Sequence, residues 1–203
     1  MKCNRSIYLN EYNILMGDST YIPFVSGILR AHAETNPKIK ENYTFEPYLF
    51  HLDQPKRILD QYDNPTVAAF SMSMWNEQLS LHTANEVKKK FPNCKIVFGG
   101  AQVPHDARDY LKKHNFIDVA VRGEGEETFT EILEQFLIAD DLEHIPGITW
   151  RSASNEIRYC SEERPFNRDL DFYPSPYLEG VYDQLIQSRR DISFQSIIFS
   201  KKT

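Results

Sequence analysis

Three short stretches hold residue types from which a ligand crevice could be built: Ser71-Met72-Ser73, Gly99-Gly100-Ala101-Gln102 and Arg122-Gly123-Glu124-Gly125-Glu126. Small hydroxyls such as Ser71 and Ser73 can orient a buried heterocycle or amide, or can cap the helix that follows them. A glycine pair lets main chain approach a ligand where a Cβ would clash, or simply makes a tight strand-to-helix turn. Gly123-Glu124-Gly125 has the outline of a dinucleotide loop, but Glu124, Glu126 and Glu127 around it would repel a pyrophosphate, which disfavours NAD and ATP. Taken singly, Glu126 and Glu127 read as compensation of a helix dipole.

Other chemistries find less support. The six histidines are scattered, none at the spacing that puts two ligands on one helix face. Cys3, Cys94 and Cys160 are too far apart in sequence for a zinc knuckle or redox dithiol and read as free thiols of a reducing, cytoplasmic setting. No Gly-x-Ser-x-Gly elbow marks a nucleophile. A phosphate receiver would need carboxylates after the third strand, where serines stand instead. A net charge of -6 without a basic stripe argues against nucleic acid, and Lys88-Lys89-Lys90 reads as the cationic end of a helix. With charged residues at 26%, no window is apolar enough to cross a membrane, and no apolar leader core follows Met1.

The crevice residues must be positioned by alternating elements. Ser6–Asn10, Tyr43–His51, Val67–Ser71, Lys95–Phe98 and Phe116–Val121 read as strands. Between them lie helical patterns from Pro23 to Thr35, Pro55 to Tyr62, Trp75 to Phe91 and Asp106 to His114, and another follows from Glu126 to Phe136. This predicts an α/β fold: a flavodoxin- or Rossmann-like five-stranded parallel sheet, order 2-1-3-4-5, with helices on both faces. In such a sheet ligands bind beyond the carboxyl ends of the strands, where all three stretches fall. Residues 1–140 form this unit; residues 141–203 are expected to hold a hairpin (Gly147–Arg151 and Glu156–Tyr159), a proline-punctuated linker, and a final strand-like run, Ser193–Ser200, without a partner.

Taken together, Ser71-Met72-Ser73, Gly99-Gly100, the run from Asp118 through Arg122-Gly123-Glu124-Gly125-Glu126-Glu127 to Phe129, the Gly147–Arg151 hairpin and the Leu170–Tyr177 linker resemble the cobalamin-binding domain of radical SAM enzymes. The resemblance covers nearly the whole chain. It implies a corrinoid held against the carboxyl edge of the sheet, its nucleotide tail reaching between the strands, with Ser71, Met72, Ser73, Gly99, Gly100, Ala101, Gln102, Arg122, Gly123, Glu124, Gly125 and Glu126 as its binding residues. The Asp-x-His-x-x-Gly loop of histidine-ligated relatives is missing, so the implied cobalamin has no protein histidine ligand.

The Cys-x-x-x-Cys-x-x-Cys loop that would hold a [4Fe-4S] cluster and SAM is also absent from these residues. The expectation is a cobalamin-binding module that ends before the catalytic core, as a truncation, an excised domain or a split subunit working with a radical SAM polypeptide. Two alternatives remain: a noncatalytic interaction domain with a degenerate pocket, and a receiver-type regulator.

Overall fold

The computed structural model describes residues 5–139, 141–189 and 193–195. Its main sheet contains β1 (Arg5–Asn13), β3 (Tyr43–Phe45), β4 (Leu49–His51), β5 (Pro65–Ser71), β6 (Lys95–Gly99), β7 (Val119–Val121), β8 (Ile148–Arg151) and β9 (Ile157–Tyr159). A short strand, β2 (Ser19–Tyr21), lies off it. The parallel part has the expected order, with the second strand in two pieces: β3 pairs with the start of β1 and β4 with its end. Pro47, which has no N–H to donate, stands in the gap between β3 and β4.

Strand alternation splits the core into two apolar layers. Ile7, Leu9, Val67, Ala69, Val97, Val119 and Val121 face one layer. Tyr8, Tyr12, Ala68, Phe70, Ile96, Phe98 and Ala120 face the other. The first layer is covered by α1 (Phe24–Ala33), α2 (Pro37–Asn42) and α6 (Glu126–Ile138), the second by α3 (Pro55–Leu59), α4 (Glu77–Lys90) and α5 (Arg108–Lys113). A sheet buried on both faces is why β5, β6 and β7 read as continuous apolar runs. Lys88, in the last turn of α4, pairs with Asp118 at 2.8 Å.

Three features depart from the sequence reading. The hairpin does not stand apart: β8 pairs antiparallel with β7, and β9 with β8, so the sheet continues through it. The linker is pinned, because Arg164 donates to Glu127, Glu131 and Thr128 on α6. The expected partnerless strand has a partner: β10 (Ser193–Gln195) pairs in parallel with β2, a contact between residues about 170 positions apart that local pattern cannot reveal. The rest of that run, 196–200, lies outside the described residues. A final helix, α7 (Asp183–Ser188), packs Leu185 into the first layer, where Tyr182 is also buried. No helix among the described residues is long and apolar enough to cross a membrane.

Candidate functional site

A cavity of about 400 Å³ opens at the carboxyl edge of the sheet, between β1, β5, β6 and β7 on one side and α1 and α6 on the other. Its origin is a row of small residues. In the strand register Leu9 aligns with Ala69 and Ala69 with Val97; two residues further along, Ser71 aligns with Gly99. With only a hydroxymethyl and a hydrogen in that second row, the helices cannot close onto the sheet. Val25 and Leu29 of α1, four apart and so on one face, and Phe129 of α6 form the facing wall.

The two glycines of the pair do different work. A Cβ built on Gly99 would find nothing nearer than Val121 Cβ at 3.9 Å, so its absence leaves room in the cavity. A Cβ on Gly100 would strike the main-chain O and N of Met72, and its φ of +106° belongs to the region glycine alone adopts easily. Gly100 therefore locks two loops together, helped by Met72 N donating to Gly99 O at 2.7 Å. Asn76 completes the lock: its Oδ1 accepts from Ser73 N at 2.8 Å and its Nδ2 donates to Tyr12 O and Ser71 O at 3.2 and 3.1 Å.

Nine of the sequence-derived residues line this cavity: Ser71, Ser73, Gly99, Gly100, Ala101, Gly123, Glu124, Gly125 and Glu126. Three do not. Met72 is fully buried in the opposite layer, because alternation sends it away from its neighbours Ser71 and Ser73, and Tyr110 Oη donates to its sulfur at 3.3 Å. Gln102 is exposed, its main-chain N donating to Met72 O. Arg122 turns to the hairpin, donating to Cys160 O at 2.6 Å and Glu162 O at 3.0 Å and lying over the Tyr159 ring. His105 is exposed and pairs with Glu163 at 2.6 Å.

A second cavity, of about 510 Å³, adjoins the first and shares Val25, Ser71 and Ser73 with it. Glu11, Asn13, Ile14, Tyr21 and Trp75 also line it; they fall in the loops expected at the carboxyl edge but not among the residues expected to bind. The missed signal was the length of β1: it runs to Asn13, and Leu9, Glu11 and Asn13 follow one another at the period of one sheet face. Glu11 is buried, its Oε2 accepting from Ser26 N at 2.7 Å in the first turn of α1. Burial pushes its carboxyl up to about 7, against the pull of the hydrogen bonds from Ser26 and Val25. Exposed Ile14, Met74 and Trp75 add an apolar edge nearby.

Polarity along the first cavity is graded. Asn10 reaches it only at the backbone level, since its side chain turns to the other layer, where Oδ1 accepts from Tyr12 and Tyr62, each at 2.7 Å, and Nδ2 donates to Ala69 O. Around the Gly123–Gly125 turn sit Glu124 and Glu126, and Glu126 Oε2 is buried without a hydrogen-bond partner. Glu127, by contrast, is paired with Arg164 at 2.9 Å and Tyr173 at 3.0 Å. No cation lines the cavity among the described residues, so its chemistry suits an apolar or neutral polar group and not a free phosphate. No group of three or more potential metal ligands occurs among the described residues.

A family model described as a B12 binding domain matches residues 43–133. The chain is 32% identical over 199 residues to 2-(S-pantetheinyl)-carbapenam-3-carboxylate methyltransferase of Streptantibioticus cattleyicolor, covering 97% of this chain and 28% of that enzyme. It is also 32% identical over 191 residues to the cobalamin-dependent radical SAM methyltransferase TokK of Streptomyces tokunonensis, covering 92% and 27%. The chain thus spans little more than a quarter of the length of these relatives. Its fold matches that of the cobalamin-dependent S-adenosylmethionine radical enzyme OxsB, solved with aqua-cobalamin and S-adenosylmethionine bound, with a TM-score of 0.63, 15% identity, and coverage of 88% and 25%. The radical S-adenosylmethionine methyltransferase TsrM of Kitasatospora setae gives a TM-score of 0.60 at 15% identity, covering 82% and 30%.

Proposed function

The chain is a B12-binding domain of the cobalamin-dependent radical SAM family, and from that premise we propose that the cavity between α1 and α6 takes part of a corrinoid and that the second cavity lies beside the remainder. The observation that carries this is the set Ala69, Ser71 and Gly99: small residues in two successive rows, at the carboxyl edge of a doubly covered sheet, keep open a cavity that larger side chains would have filled. The structure offers two fits to such a ligand, a hydrogen at Gly99 where a Cβ would occupy the space, and buried polar atoms, Asn13 Nδ2 and Glu126 Oε2, without a partner in the protein.

When bound, cobalamin would supply a redox-active cobalt centre. The protein's part is to hold and orient. Leu9, Leu29, Val97 and Phe129 exclude water from an inserted apolar group. The Asn76 and Gly100 locks keep the two strand-end loops in one arrangement, so that little ordering remains to be done on binding. Ser71 and Ser73 lie where both cavities meet and are placed to orient polar groups of the ligand.

The same proposal has residues 1–140 as the binding unit and 141–203 as a hairpin and linker leading toward a radical SAM core, in this polypeptide or another. Cluster and SAM chemistry belong to that core. The free thiols of Cys94 and Cys160 suit a cytoplasmic setting. The test is to purify the protein with hydroxocobalamin, pass it through gel filtration and record its visible spectrum. A stoichiometric corrinoid band that travels with the protein is expected; a protein that emerges colourless at concentrations far above micromolar refutes the proposal.

A further inference from the structure

Two buried polar side chains line the second cavity, and of these Glu11 has a partner in the first turn of α1 while Asn13 Nδ2 has none. Asn13 is 7% exposed and Glu11 9%. Both lie on β1 and line the same cavity. Asn13 stands near enough to Glu11 to favour its charged form, yet its Nδ2 makes no hydrogen bond of ordinary geometry. Leaving a buried amide donor unpaired is costly, and a strand end facing a cavity could as well have carried an apolar side chain.

Two polar neighbours on the cavity wall, Asn76 and Trp75, are already engaged. Asn76 spends its side chain on Ser73 N, Tyr12 O and Ser71 O. Trp75 Nε1 donates to Tyr12 O at 3.2 Å. The Glu11 carboxyl accepts from Ser26 and Val25 in the first turn of α1, which uses up to three of the roughly four acceptor positions of a carboxylate and leaves one. Ser71 and Ser73 line both cavities; on β1 itself the polar pair offered to a ligand is one donor, Asn13 Nδ2, beside one acceptor, the Glu11 carboxyl.

A donor beside an acceptor is the complement of a primary carboxamide, whose carbonyl accepts and whose NH₂ donates. We propose that Glu11 and Asn13 form a subsite for a primary carboxamide on the rim of the bound ligand, Asn13 Nδ2 donating to the amide oxygen and Glu11 accepting from the amide nitrogen. This rests on the reading that the chain binds a corrinoid, a macrocycle whose rim bears several primary carboxamides. The subsite is separate from the cavity between α1 and α6, so it fixes the orientation of the ring and not the seat of any inserted group.

The test uses cobinamide, which keeps the carboxamide rim but lacks the nucleotide tail, and cobyrinic acid, in which the rim amides are carboxylates. Binding is followed by visible absorbance for the wild type, Asn13→Leu and Glu11→Gln, in about 1 M salt, where the Debye length of roughly 3 Å removes long-range charge effects. Asn13→Leu keeps the volume and removes the unpaired donor, so the free protein should melt no lower than the wild type. Cobinamide should nevertheless bind about 3- to 10-fold more weakly, the effect of one neutral hydrogen bond. The wild type should prefer cobinamide to cobyrinic acid by about 10-fold or more, and Glu11→Gln should narrow that preference.

Equal cobinamide binding by Asn13→Leu and wild type overturns the subsite, as does a cobinamide preference that Glu11→Gln leaves unchanged. A loss of affinity in Asn13→Leu matched by a large fall in melting temperature also overturns it, since that marks a structural role. In each of these cases wild-type cobalamin binding stands. Failure of the wild type to bind cobalamin at all defeats the corrinoid reading itself, and the subsite with it.

Discussion

Replacing Gly99 by valine separates the cavity from the fold around it. Gly99 ends β6, its φ lies outside the positive range, and a Cβ there meets nothing closer than 3.9 Å. Valine suits a strand, so the free protein should tolerate the change and gain up to about 1 kcal/mol from filling apolar space. The isopropyl group then stands inside the cavity of about 400 Å³, against the space between Val121 and Phe129. A ligand that needs this space must displace it, and overpacking of this kind costs about 1–3 kcal/mol, or roughly 5- to 150-fold in dissociation constant. Hydroxocobalamin titration followed by visible absorbance, alongside thermal melting of the free protein, reads both quantities. Weakened binding with an unchanged or raised melting temperature is expected. Wild-type affinity in a variant that melts normally would mean that the corrinoid does not enter between α1 and α6.

Two further outcomes follow from buried groups. The Glu11 carboxyl, at about 7 in the folded chain against 4.5 for the free side chain, keeps its proton on folding between those values, so its contribution to stability is full below about 4.5 and is lost as pH rises through 7. The loss amounts to about 3 kcal/mol. Urea unfolding at pH 4.5, 6 and 8 should show the gap between wild type and Glu11→Gln growing in the variant's favour; comparing the two proteins cancels the opposing titration of His32, which burial pulls down. A gap independent of pH would contradict this. In α1, a Cβ on Gly27 would fall on the Tyr182 ring and hydroxyl, and that hydroxyl donates to Pro23 O at 3.2 Å. Gly27→Ala should therefore lower the melting temperature by several degrees and speed proteolytic cutting around residues 173–188; an unchanged melting temperature and digest would show that this contact carries no stability.

Much of the fold was readable because its cause is local. Apolar runs such as Val67–Phe70 and Lys95–Phe98, punctuated by Asn64-Pro65 and Pro92, specify buried strands and helix ends whatever lies around them, and right-handed crossovers then restrict their order. The acidic glycine turn and the Gly99-Gly100 pair were readable for the same reason, since each demands a particular backbone. β1 was read too short, at Asn10 instead of Asn13, because Glu11 and Asn13 look like solvent-facing residues until a helix is known to cover them.

By itself, then, the sequence determined which loops meet at the carboxyl edge of the sheet, because strand direction and crossover hand are set by local chemistry. Only the tertiary structure decided which side chains of those loops face the cavity. A one-residue step along a strand reverses the face, which put Ser71 and Ser73 in the cavity and Met72 behind it. Contacts across long stretches of chain drew Arg122 to Cys160 and Glu162 and placed Leu29 of α1 opposite Phe129 of α6. The same distant packing carried Glu11 and Asn13, ordinary polar residues in the sequence, to the buried wall of a cavity, where one leaves an amide nitrogen unpaired and the other holds its proton up to about 7.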